Sequence, residues 1–272
     1  MIISKLFLSF IVFSLVGWLW ESIYCTVTNA KWQNRGFLYG PICPIYGVGA
    51  IGMLMAFGFI PGISTETASL HDAPIWQVFL ICAVGSAVLE YTTSYLMEKI
   101  FDARWWDYTD MPLNINGRIC LPATLLFGFA GTALIKIVLP KLVIAAASLD
   151  DVSPLVWEGF SLVFMAIFAA DFVLTIANMT QLVAKLDKLE EEFNTIMDER
   201  YKVVGDKQVV LKQKIVDVTS DLNTRQRYVL RNIKRKGSHA KEEVTTRVKD
   251  YLGSLKAGVF KDTQTESDKH EA

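Results

Sequence analysis

Five apolar runs, roughly 3 to 27, 40 to 60, 75 to 98, 119 to 140 and 157 to 183, take up most of the chain up to residue 183. Each supplies about the ~20 residues that a helix needs to cross a hydrocarbon core about 30 Å thick. Inside such a core no water serves the backbone, so peptide groups pair within their own segment and helices are the outcome. The chain therefore reads as all-α: a polytopic membrane helix bundle of about five spans with a charged helical tail. Composition agrees, with 52% hydrophobic residues, 20% charged residues and a mean hydropathy of +0.32 over 272 residues, which is not the profile of a soluble enzyme. The first run reads as a retained helix and not a cleaved leader. It carries a single early Lys5, no small-residue cleavage site, and Glu21.

The formal charge of -1 hides a division, because 19 of the 27 Lys and Arg and 16 of the 28 Asp and Glu follow residue 184. The expected organisation is a transmembrane bundle over 1–183, a cytoplasmic helical or coiled-coil tail over 184–258, and a disordered end over 259–272. Positive charge sets the orientation. Lys31 and Arg35 follow the first run, Lys99, Arg104 and Arg118 the third, and Lys185 and Lys188 the fifth. The opposite loops hold little positive charge, so the N-terminus is expected outside and the tail in the cytoplasm. Cys25, Cys43, Cys82 and Cys120 form no CxxC pair and lie in or beside the runs, where thiols serve as small packing groups. Neither a metal nor a cofactor is expected.

Three features carry chemistry. The first is charge in the hydrocarbon: Glu21, Glu90 and Asp171 each need a partner, water or a proton there. Glu21 and Glu90 sit 6 to 8 residues from the cytoplasmic ends of their helices, about 9 to 12 Å, and so at similar depth. On Glu21's face lie Gly17, Trp18, Tyr24 and Cys25, and on Glu90's face Ser86, Thr93 and Ser94. An interhelical hydrogen-bonded pair and an ion, proton or headgroup site are weighed evenly for these two acids, while for Asp171 the structural role is favoured. The second feature is "NRGFLYGPICPIYGVGAIG", residues 34 to 52. Pro41 and Pro44 lack amide donors and Gly40 and Gly47 permit close approach or turning. This segment either packs helices tightly or lines a cavity with irregular backbone. A re-entrant segment in place of the second span is the alternative.

The third feature is the stretch "RWWDYTDMPLNINGRICLP", residues 104 to 122. Trp105, Trp106 and Tyr108 suit a membrane interface. Asp107, Asn114 and Asn116 exceed what a connecting loop needs. Arg118 stands where the fourth run begins, able to pair bidentately with Glu21, Glu90 or Asp107, or with a phosphate.

"GWLWESIYC", "RGFLYGPICPIYGVG" and "RWWDYTDMPLNINGRICLP" together resemble the bacterial membrane family described as putative ABC-transporter permease, type IV, over about residues 10 to 180. The matching positions are Trp18 and Glu21; then Gly36, Gly40, Pro41, Cys43, Pro44, Tyr46 and Gly47; then Glu90; and finally Trp106, Asp107, Tyr108, Asn116, Gly117 and Arg118. The resemblance implies a polytopic bacterial inner-membrane protein and a transporter's membrane component, and brings no catalytic residue with it. The chain has no GxxxxGK[ST] phosphate loop, so an ATPase would be a separate polypeptide.

In the tail, Leu182, Leu186, Leu189, Phe193 and Ile196 step by four and three, and Leu211, Ile215, Val218 and Leu222 repeat the stripe. A helical hairpin or a dimeric coiled coil, and hence a homodimer through the tail, would bury it. Between Arg225 and Lys241 come seven basic residues and no acid. This run suits a solvated face or anionic membrane lipids, and nucleic acid is disfavoured because no recognition motif accompanies it.

Three functions follow. The leading one is a transport component with a polar cytoplasm-facing cavity lined by Glu21, Glu90, the 40 to 47 segment and Arg118. The alternatives are a membrane-embedded enzyme acting on a lipid or isoprenoid phosphate, and a non-catalytic membrane adaptor. His71, His239 and His270 stand apart from the acids, and no nucleophile and base are paired in the sequence, so a non-enzyme is favoured.

Overall fold

The computed structural model describes residues 2–30, 34–57, 73–141, 153–198, 204–235 and 238–270, with the side chains of 29, 198, 204–209 and 256–270 outside the description. The regular elements among the described residues are helices: α1 (Ile2–Asn29), α2 (Pro44–Ala56), α3 (Ile75–Phe101), α4 (Leu121–Ala133, continued by a π-helical stretch Leu134–Val138), α5 (Pro154–Asp198), α6 (Val204–Ser220), α7 (Thr224–Asn232) and α8 (His239–His270). The all-α expectation holds.

The bundle is built inside out. Large apolar side chains are exposed along α1 (Val12, Val16, Leu19, Ile23), α3 (Leu80, Val84, Val88) and α5 (Leu162, Val163, Ile167, Val173). Hydroxyls are buried instead, at Ser14, Ser22, Ser86, Ser94, Ser161 and Thr175. Water would reject that arrangement and a lipid tail favours it. Four helical stretches, Ile2–Thr28, Ile75–Phe101, Leu121–Lys141 and Pro154–Met197, are long and apolar enough to cross a membrane.

The second expected span differs. Its helix, α2, has 13 residues, about 20 Å at 1.5 Å per residue and short of a 30 Å core. Helix starts only at Pro44, where a missing amide costs nothing in the first turn, and residues 34–43 before it are irregular. The last residues of the run, 58–60, lie outside the described residues. A second departure is the π-helical Leu134–Val138. Pro140 has no amide to give the carbonyl of Lys136 and its ring crowds that carbonyl, a usual cause of a widened turn.

The chain divides into two compact units, residues 1–96 with 107–175, and residues 97–106 with 176–272. In the first, α1 and α2 pack closely. A Cβ at Gly17 would overlap the Tyr46 ring, and one at Gly47 would overlap Ser14 and Phe10. Leu54, Val78, Cys82, Ile135 and Leu139 form a buried cluster joining α2, α3 and the end of α4.

The second unit has an ordinary apolar core. Leu182, Leu186, Leu189, Phe193 and Ile196 of α5 are buried together with Leu211, Ile215, Leu222, Val229, Leu230, Val244, Val248 and Leu252. The tail's stripe is thus buried among the described residues of one chain. α7 opens on a capping box in which the Asn223 side chain accepts from Gln226 N and the Gln226 side chain accepts from Asn223 N. The basic run is only partly a solvated face. The Arg235 side chain is fully buried between Asp102, at 3.0 Å, and Asp187. Arg104 and Lys234 exchange both backbone hydrogen bonds at 2.8 Å, which ties 97–106 to the tail. Residues 259–270, read from composition as disordered, continue α8 as backbone helix.

Candidate functional site

Residues 34–43 enter the bundle without helical hydrogen bonds of their own, so each amide must find a partner elsewhere. Asn34 Oδ1 accepts from Trp18 Nε1 at 2.8 Å and from Gly36 N at 3.0 Å. Ser22 Oγ takes the Arg35 amide at 3.4 Å. Asp171 accepts from Tyr39 N on one carboxylate oxygen and from Gly40 N on the other, both at 2.7 Å, with Thr175 Oγ1 at 3.2 Å. Gly40 makes this possible, because a Cβ there would stand 3.0 Å from Asp171 Oδ2. Cys43 N closes the segment on the Ser14 carbonyl at 3.1 Å. The chain is thereby fixed from α1 on one side and α5 on the other, and Pro44 launches α2 at the level of Ser14 and Glu21.

That path sets Glu21 among residues of the segment it faces. Arg35 Nε lies 3.5 Å from Glu21 Oε1, Cys43 Sγ lies 3.9 Å from Glu21 Oε2, and the Tyr46 hydroxyl hydrogen-bonds the same carboxylate. The cation at Glu21 is therefore Arg35, which the sequence offered only as a loop charge. Glu90 stands on α3 with 7% of its surface exposed. Tyr108 Oη donates to Glu90 Oε1 at 3.3 Å, while Oε2 is buried with no hydrogen-bond partner. The two carboxylates are close enough to act on one another electrostatically, and both act on the Tyr46 hydroxyl. Burial first, then the Glu90 carboxylate, pushes the Tyr108 hydroxyl above its ordinary value, so it stays a proton donor across the physiological range.

The loop that delivers Tyr108 uses its polar residues largely on itself. Asp107 Oδ1 takes the Thr109 amide at 3.2 Å and also its hydroxyl. Asn114 donates to the Thr109 and Met111 carbonyls and accepts from Gly117 N at 3.1 Å. Asn116 and Gly117 both have positive φ, 53° and 66°, which folds the chain back so that Tyr108 N meets the Gly117 carbonyl at 2.8 Å. Asn116 Nδ2 and Arg118 Nη1 both reach Tyr91 Oη, at 3.0 and 3.2 Å. The Arg118 guanidinium lies over the Tyr91 and Tyr95 rings at 5.2 and 5.4 Å. Trp105 is buried and not presented as an interfacial anchor.

The structure thus brings Glu21, Glu90, Cys43 and Tyr46 together and adds Arg35 and Tyr108. Arg118 is held by tyrosines on the face next to Glu90's, Trp18 holds the Asn34 side chain that accepts from the Gly36 amide, and Asp107, Asn114 and Asn116 shape the loop. Gly40, Pro41, Pro44 and Gly47 set the path of the segment. Tyr108 could have been found from its place in the recognisable motif; Arg35 and Tyr91 had no local signal. Among the described residues no group of three or more His, Cys, Asp or Glu is arranged to hold a metal.

The model of a family described as "Putative ABC-transporter type IV" matches residues 8–176. No curated protein and no solved structure matches the chain. The family match runs from the second turn of α1 to the point where α5 leaves the first unit.

Proposed function

We propose that this chain, which belongs to the putative ABC-transporter type IV family, is the membrane component of a transporter served by a separate ATPase. Its polar site is centred on Glu21 and Glu90 and opens to the cytoplasm. What supports this reading is that two intramembrane carboxylates, on α1 and α3, lie within electrostatic reach of one another, with the irregular 34–43 segment packed against the first of them. Maintaining acids and non-helical backbone at membrane depth is costly, and bundles retain them where a solute or ion passes. The broken second span supports the same reading, because a segment held by side chains, not by helical bonds, can change its partners without unfolding a helix. The orientation that places this site on the cytoplasmic side rests on the Lys and Arg of the short loops.

Reconstitution in proteoliposomes of the full chain with the ATPase that co-purifies with it, with ATP supplied inside or outside and flux measured over a panel of ions, small anions and lipids, tests it. Flux of one class is expected, reduced at least about tenfold by Glu21→Gln, the loss of one ion-paired charge. Flux equal in wild type and Glu21→Gln across the panel overturns the proposal.

A further inference from the structure

The two acids of the site are not equivalent, and counting charge around them shows how. Glu21 has a cation, Arg35 at 3.5 Å, and donors in Tyr46 and Cys43, and 24% of its side-chain surface is exposed. Glu90 is 7% exposed and receives one neutral hydroxyl, from Tyr108; among the described residues it makes no ion pair. The groups that face it from other elements are Glu21 on α1, Tyr46 on α2 and Tyr108 from the loop. Arg118, from the loop before α4, lies over the rings of Tyr91 and Tyr95 on Glu90's own helix, and Tyr91 is turned about 100° from Glu90 around the helix axis. The pair Glu21 and Arg35 is neutral; Glu90 leaves one negative charge over.

A second observation lies on the same face. Ser94, four residues on and therefore beside Glu90, is 2% exposed and its hydroxyl is buried without a hydrogen-bond partner, as is Glu90 Oε2. Two buried oxygens on one helix face that both lack a partner cost free energy, and the carboxylate's share is relieved when a proton or cation joins it. We propose that Glu90 and Ser94 form the binding site for one hard monovalent cation, a proton or an alkali ion. Glu21 is by contrast a fixed anion, neutralised by Arg35. One positive charge balances the site and two would overcharge it, which disfavours a divalent ion. This inference deepens the transport reading and rests on it, yet it concerns binding alone.

The test is thermal unfolding of the full chain in detergent, followed by tryptophan fluorescence. One arm varies pH in choline buffer; the other varies Na+, K+ or Li+ against choline at fixed pH and ionic strength. A ligand that binds the folded state raises Tm with its concentration. Wild type is expected to respond in one arm, which identifies proton or alkali ion. Glu90→Gln is expected to abolish that response without lowering Tm, because it neutralises the charge that the cation neutralises. Ser94→Ala is expected to weaken the response, and Glu21→Gln to lower Tm while keeping it. A response as large in Glu90→Gln as in wild type, a wild type whose response matches that of Glu90→Gln in both arms, or a response to Mg2+ exceeding that to every monovalent ion overturns the proposal. A cation response without solute flux leaves this site standing and counts against the transport reading alone.

Discussion

Asp171 shows how much one side chain can decide. Its two oxygens take two consecutive amides 132 and 131 residues away in the chain, so a charge-assisted hydrogen bond replaces the helical bond that each amide lacks. Asp171→Asn cannot accept on both atoms, and about 2–4 kcal/mol is expected to be lost, each hydrogen bond to a charged group being worth ~1.5–3 kcal/mol. Thermal unfolding in detergent reads this, and an unchanged Tm would show that the segment is held otherwise. Gly47 makes the complementary demand, for space. Gly47→Ala sets a methyl against Ser14 and Phe10 and is expected to cost about 1–3 kcal/mol by overpacking, whereas Gly52→Ala, which meets nothing within 4 Å, is expected to be neutral or mildly stabilising in the same measurement. Sequence reading named Gly47 and left open whether it packs helices or lines a cavity, because a glycine carries no mark of what approaches it.

At the scale of elements, α1 ends on Ala30 in a left-handed conformation, φ 50°, which costs an L-residue roughly 1–2 kcal/mol relative to glycine. Ala30→Gly is expected to raise the unfolding temperature; a fall would mean that the methyl is needed where it stands. α8 brings a pH dependence to the second unit. Lys249 donates to the Ile233 carbonyl, and burial, reinforced by the charge of Lys234, holds its amine below the ordinary lysine value. In the window between that lowered value and 10.5 the unfolded chain binds more protons than the folded one, so stability rises with pH there and is lower on the acid side. Lys249→Met should flatten this slope in denaturant titrations at alkaline pH, and an unaltered slope would assign it to another group. The helices themselves were legible from apolar run length, except α2. Its run was long enough, but Pro41 and Pro44 with their glycines delayed the helix to Pro44, and where a helix begins depends on who satisfies the amides before it.

For the whole molecule, the tail is the part in which distant sequence matters most. Arg235 is buried against Asp102, 133 residues away, and Asp187, 48 residues away, with Lys241 also on Asp102. Arg235→Ala removes two charged hydrogen bonds and a fully buried side chain, while Asp102 keeps Lys241 and Asp187 is half exposed, so it is expected to destabilise the second unit by about 1–3 kcal/mol, the range for hydrogen bonds to charged groups discounted for solvent. Hydrogen exchange across 97–106 and 176–235 would show it as lost protection in both segments together. Protection lost in only one would mean that the two do not share one core.

Run length and composition were sufficient for four of the bundle's helices, since about 20 apolar residues free of clustered proline and glycine leave a helix across the bilayer as the low-energy choice. They were sufficient also to single out Glu21 and Glu90, because a charge inside such a run stands out by its cost alone. Partners were another matter. That Glu21 takes Arg35, that Glu90 takes the Tyr108 hydroxyl, and that Arg118 settles on Tyr91 and Tyr95 depend on the rotation of each helix and the path of each loop. Those are settled by packing among segments far apart in the chain, for which periodicity within one segment holds no information.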